Sequence, residues 1–131
     1  MGSDALTEQL DQLAQDFAAG AKILTAIGDE TRQHLILEMM KMGNCNGVRV
    51  GEITAKTNLS RPAVSHHLQI MKEAGLIRVR KEGTKNYYYF DSQMEPLARL
   101  ADTLHRAVEI TRTLPDRSGE SNDFAHGPFN R

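Results

Sequence analysis

Residues 51–91 read GEITAKTNLSRPAVSHHLQIMKEAGLIRVRKEGTKNYYYFD, and the succession of periodicities within this stretch decides the fold. Gly51 to Thr57 supports a short helix with Ile53 turned inward. Asn58-Leu59-Ser60 is a tight connection. Ser60 is a good N-cap, because its hydroxyl oxygen can accept from amides that the next helical turn leaves without partners. Pro62 is tolerated in that turn, where its missing N–H has no helical acceptor. Stepping 100° per residue from Val64, Leu68 and Met71 fall within about 40° of it. They form an inward stripe flanked by His67 and Ala74, and the helix is expected to end near Gly75. Leu76 to Lys81 then alternates apolar with basic side chains, which is strand patterning. Glu82-Gly83-Thr84 is a turn, and Lys85 to Phe90 is a second strand with the high β propensity of consecutive aromatic residues.

Two helices joined by a short turn can hold the second one proud of the body, where it matches the width of the DNA major groove. Its outward face here would carry Ser65, His66, Gln69, Lys72 and Glu73, with Arg61 and Ala63 in the first turn. Gln69 can pair bidentately with adenine, Arg61 can reach guanine or phosphate, and Ser65 and His66 can donate or accept. A solvated polar face is the plainer reading of such residues. The hairpin shifts the balance, because Arg78, Arg80, Lys81 and Lys85 cluster on it and can follow a phosphate backbone. Tyr87 to Tyr89 could instead stack on unpaired bases, but Tyr88 and Phe90 fit better as the inward face of the ribbon.

Charge is distributed accordingly. Residues 51–91 hold seven basic against four acidic groups, whereas 1–50 hold four against seven and 92–131 five against six. The net charge of -1 therefore conceals a cationic middle between two acidic ends, a pattern that presents one face to a polyanion.

Upstream, Ala5 to Lys22 reads as a helix that Gly20 can interrupt. Leu6, Leu10, Leu13 and Phe17 make one apolar stripe. Asp29 is a candidate N-cap for a helix through Leu35, Ile36, Met39 and Met40 that stops at Gly43. A turn cluster, Asn44 to Gly47, leads to Val48-Arg49-Val50, which alternates like a short strand. Downstream, a last helix over about Gln93 to Leu114 carries Leu97, Leu100, Leu104 and Val108 on one side. Residues 115–131 have the composition of a flexible tail. With 131 residues, one domain is the default. The division expected is an N-terminal dimerisation helix over 1–19, the main domain with its last helix over 20–114, and the tail over 115–131.

The order and spacing of several segments resemble one family. Leu24-Thr25-Ala26-Ile27-Gly28-Asp29-Glu30-Thr31-Arg32, Gly51-Glu52-Ile53, Ser60-Arg61-Pro62-Ala63-Val64-Ser65-His66-His67-Leu68, Glu73-Ala74-Gly75-Leu76-Ile77, and Gly83 with Tyr88 are similar to the ArsR/SmtB repressors over about residues 20–110. The resemblance implies a mostly α winged helix-turn-helix with a β-hairpin wing, dimerised through its first and last helices. It assigns the helix from Ser60 to Gly75 to DNA recognition and residues 76–91 to the wing. Family members often carry an arginine just after the wing glycine; here Thr84 and Lys85 follow Gly83.

Many relatives release DNA on binding a metal. The paired-thiolate type is excluded, because Cys45 is the sole cysteine. The last-helix type would fall on Ser92, Met94, His105 and Val108, of which only His105 is a ligand type. A shifted set, Asp102, His105 and Glu109, shares a helix face and stands as a weaker alternative to a solvated face with local ion pairs. His66 and His67 point about 100° apart on a helix and cannot chelate one ion. No phosphate-binding glycine loop, nucleophile elbow or zinc-protease motif occurs, so an enzyme is not expected.

The sequence thus predicts a cytoplasmic, homodimeric, double-stranded-DNA-binding repressor with no cofactor, no membrane partner and no visible inducer site. A metal-responsive repressor and a winged-helix module for protein docking are the alternatives. The DNA-contacting set is Arg61, Ala63, Ser65, His66, Gln69, Lys72, Arg78, Arg80, Lys81 and Lys85. The dimer set is Leu6, Leu10, Leu13, Phe17, Leu97, Leu100, Leu104 and Val108.

Overall fold

The computed structural model describes residues 2–43 and 46–115. Cys45 and the tail from residue 116 onward lie outside the described residues. The chain runs α1 (Gly2–Ala19), α2 (Ala21–Ile27), α3 (Glu30–Met42), α4 (Val50–Lys56), α5 (Arg61–Glu73), β1 (Ile77–Glu82), β2 (Lys85–Phe90) and α6 (Glu95–Thr113).

The caps expected from sequence form. Asp29 accepts from the Arg32 amide at the start of α3, and Gly43 closes that helix in the left-handed conformation. Ser60 accepts from the Ala63 amide at the start of α5. Two segments differ from expectation. The helix foreseen over Ala5–Lys22 ends at Ala19, with Gly20 turning the chain into a separate α2. The short strand foreseen at Val48–Val50 reduces to one antiparallel bridge between Val48 and Tyr88, and Val50 already opens α4. The Val48 bridge fastens the segment before α4 to the hairpin.

The core gathers Ile23 and Ala26 of α2, Leu35 and Met39 of α3, Ile53 of α4, Val64, Leu68 and Met71 of α5, Leu76 and Ile77, and Leu100 of α6. The inward stripe of α5 is thus the keel of the domain, with Val64, Leu68 and Met71 fully buried. The hairpin is antiparallel in the register Ile77 with Phe90 through Glu82 with Lys85. Directly opposed residues share a face, so Ile77, Val79, Tyr88 and Phe90 lie on one side. Ile77 is buried, and Tyr88 and Phe90 pack against the core.

The helix α1 lies against α6, where Arg106 grips Asp16 at 2.6 Å and Asp102 at 3.0 Å. The hydrogen bond from Arg106 holds the Asp16 carboxyl below the usual carboxylate range. No helix among the described residues is long and apolar enough to cross a membrane.

Candidate nucleic-acid interface

The keel of α5 dictates what its other side presents. With Val64, Leu68 and Met71 locked inward, Arg61, Ser65, His66, Gln69, Lys72 and Glu73 are all exposed. Ala63 is half-buried beside the Ser60 cap. The Arg61 guanidinium lies next to the start of α4: a Cβ on Gly51 would meet its Nη1 at 3.5 Å. Gln69 Nε2 donates to Glu73 Oε1 at 3.0 Å. Such an exposed i,i+4 contact is worth only about 0.2–0.5 kcal/mol, so exchanging it for a base edge is cheap.

On the hairpin the four expected cations divide into two classes. Arg78 is tied to Asp91 at 3.0 Å, close to the body of the protein. That partner carboxyl is held low chiefly by the amide of Gln93. Arg80 lies over the Tyr87 ring, 4.9 Å from its centroid, and 3.5 Å from Glu82. Lys81 and Lys85 flank the tip, exposed, and make no side-chain hydrogen bond or ion pair with the described residues. The tip lysines are therefore the wing charges available to an external anion. Tyr87 lies under Arg80, while Tyr88 packs inward, so the hairpin offers no open ladder of rings for unpaired bases.

The sequence reading missed one feature that bears on α5. Arg32 is buried, and its guanidinium joins three elements. Its Nε donates to the Ala26 carbonyl at 2.8 Å and its Nη2 to the Thr25 carbonyl at 3.0 Å, both in α2. Its Nη1 lies 3.3 Å from Nδ1 of His67 in α5. Arginine has no acceptor atom, so His67 accepts there and carries its proton on Nε2. Burial pushes the His67 ring below its ordinary value. Asp29 opposes that shift, and Arg32 and His66 add to it. The only sequence signal was an arginine three residues after the Asp29 cap.

The apolar faces expected to pair two chains are placed as follows. Leu10 is 44% exposed, and Leu6, Leu13 and Phe17 are half-buried. On α6, Leu104 and Val108 are 42% and 47% exposed. Leu97 is half-buried against the core, and Leu100, 2% exposed, belongs to the chain's own core. Leu100 is therefore withdrawn from the pairing surface. Within one chain the weaker metal set does not converge. Asp102 bonds Arg106, and His105 stands 4.0 Å from Glu109. Among the described residues no group of three His, Cys, Asp or Glu side chains is placed to hold an ion.

Comparison with known proteins gives a consistent picture. The family model for bacterial regulatory proteins of the arsR family matches residues 29–79, from the Asp29 cap into β1. A helix-turn-helix transcriptional regulator of Methanocaldococcus jannaschii is 34% identical over 91 residues, 69% of this chain and 99% of that protein. The transcriptional repressor SdpR of Bacillus subtilis is 38% identical over 66 residues, 50% of this chain and 69% of its own length. Among solved structures, an ArsR-like transcriptional regulator from Rhodococcus matches with a TM-score of 0.62 at 25% identity, covering 76% of this chain and 86% of the other.

Proposed function

Because the chain belongs to the arsR family of bacterial regulatory proteins, we propose that it is a homodimeric, cytoplasmic transcriptional repressor without catalytic activity, which reads double-stranded DNA with α5 and grips its backbone with the hairpin. The observation that carries this reading is the pairing of a polar, exposed α5 face with two lysines at the hairpin tip that have no side-chain partner among the described residues. In a two-fold dimer the two α5 helices enter successive major grooves, roughly 34 Å apart, on an inverted repeat. Ser65, His66 and Gln69 read base edges. Arg61 and Lys72 contribute phosphate contacts, with Ala63 close to the backbone. Of the wing cations, Lys81 and Lys85 carry the contact, whereas Arg78 and Arg80 are engaged within the hairpin and its base. The similarity to a named repressor supports the sign of regulation.

Two substitutions separate reading from gripping. Gln69→Ala is expected to lose about 1–3 kcal/mol on the preferred sequence and to relax preference at one base position. Equal loss on preferred and random duplexes would exclude base reading by Gln69. Lys85→Ala is expected to weaken all sequences alike and to reduce the slope of log affinity against log salt by about one unit. A slope unchanged by Lys85→Ala would remove the tip from the phosphate contacts. Both are measured by fluorescence anisotropy across a salt series.

A further inference from the structure

The outward face of α5 selects bases only if the helix is held at a fixed pitch and rotation, because a bidentate contact fails when its side chain moves by an ångström. Three buried apolar residues supply most of that restraint, but packing alone leaves rotation about the stripe soft. Arg32 supplies a directional restraint. Two of its donors are fixed by the Ala26 and Thr25 carbonyls at the end of α2. Asp29 anchors its backbone amide at 3.0 Å. The remaining guanidinium nitrogen, Nη1, is thereby pointed at one position on α5, the His67 ring at 3.3 Å. His67 immediately follows His66 and lies two residues from Ser65 and Gln69, the proposed reading residues.

We infer that Arg32 is a positioning residue for sequence recognition, acting through its hydrogen bond to His67 to set the orientation of α5, and that protonation of His67 releases this bond. The inference rests on the proposed DNA-reading role of α5. The bond exists only with Nδ1 of His67 unprotonated. A proton on Nδ1 turns the acceptor into a donor facing another donor, and places two positive charges side by side. The charged groups that face the ring are Asp29, the N-cap of α3, Arg32 from α3 and His66 from its own helix. Asp29 favours the protonated ring, and desolvation, Arg32 and His66 disfavour it, with desolvation the largest influence. The neutral ring is therefore the resident state at neutral pH, and release occurs below the ordinary histidine value of about 6.5. Because the native ring takes up its proton at lower pH than the unfolded chain does, the same event costs stability as the pH falls below that value.

The test uses the full chain and a labelled duplex selected by it from a random-sequence pool, alongside an unselected duplex. His67→Ala removes the acceptor. His67→Asn keeps an acceptor oxygen near the position of Nδ1 and cannot titrate. At about pH 7.5, His67→Ala is expected to bind the selected duplex about tenfold more weakly and the unselected duplex with the parent's affinity. His67→Asn is expected to recover most of the loss. On lowering the pH to about 5.5, the parent is expected to lose selectivity between the two duplexes, and His67→Asn to keep it. Equal weakening on both duplexes by His67→Ala would make His67 a phosphate contact and overturn the inference. So would an unchanged selectivity in His67→Ala, a failure of His67→Asn to recover it, or a selectivity in the parent that does not fall with pH. If the pool yields no selected duplex, the DNA-reading role of α5 fails first, an outcome distinct from these. Circular dichroism melts establish that both variants are folded at the assay temperature.

Discussion

Replacing Leu104 and Val108 of α6 together with aspartate is expected to convert the protein to folded monomers that no longer bind the operator at concentrations where the parent saturates it. Both side chains are nearly half exposed in the single chain and sit one helical turn apart, so the change leaves the core intact. Burying an aliphatic side chain of this size contributes about 1.5–3 kcal/mol. Two-fold symmetry counts each substitution twice, so the pairing loses on the order of 6–12 kcal/mol before the repulsion of buried carboxylates is added. Operator affinity falls with it, because each half-site alone lacks the high effective concentration that a linked second module supplies. Light scattering after size-exclusion chromatography reads the mass, and circular dichroism reads the fold. A dimer that survives both aspartates would move the interface away from α6.

Gly75→Ala is expected to be strongly destabilising for a change of one methyl group. Gly75 has φ of +83°, and a Cβ there would lie 2.9 Å from Cγ of Pro96. The positive φ costs an alanine about 1–2 kcal/mol. The collision adds about 1–3 kcal/mol, because Pro96 is a rigid ring in the first turn of α6 and cannot swing aside. The combined loss lowers the melting temperature on the order of 10 °C. Gly83→Ala is the control. Gly83 also has positive φ, +63°, but nothing lies within 4 Å of its Cβ position, so only the backbone cost applies. Equal melting temperatures for the two variants would show that the α5–β1 turn does not press on α6. The contact matters because it is where the end of α5, proposed to read DNA, meets the helix proposed to form the dimer.

Much of the scaffold was legible because it is local. The Asp29 and Ser60 caps, the stop at Gly43, and the Val64, Leu68 and Met71 stripe each follow from chemistry within four residues, and each forms. The strand alternation read over Leu76–Lys81 likewise carried its facing into β1. What escaped depended on neighbours distant in sequence. Val48 looked like the start of a strand, but it makes a single bridge, to Tyr88, among the described residues, and the backbone turns into α4 two residues later. The apolar band of α6 spans about 80° of the helix at 100° per residue. It is wide enough that one edge, Leu100, enters the chain's own core while Leu104 and Val108 remain outside. Periodicity alone does not divide such a band. The wing cations appeared equivalent as a run of charge, yet Arg78 finds Asp91 just beyond the end of the opposing strand. The bond between Arg32 and His67 joins residues 35 positions apart, and neither type announces the other.

α5 and the hairpin tip are proposed to form one surface for double-stranded DNA in a two-fold dimer. The most direct test of this is fluorescence anisotropy of the purified protein titrated into a labelled duplex from its own upstream region, with unlabelled random duplex as competitor and salt as the second variable. Expected are saturation at two chains per duplex, displacement by the unlabelled specific duplex at far lower concentration than by random DNA, and affinity that falls steeply with salt. Binding that the random competitor displaces equally well, on that duplex and on any enriched from a random pool, would contradict the proposal.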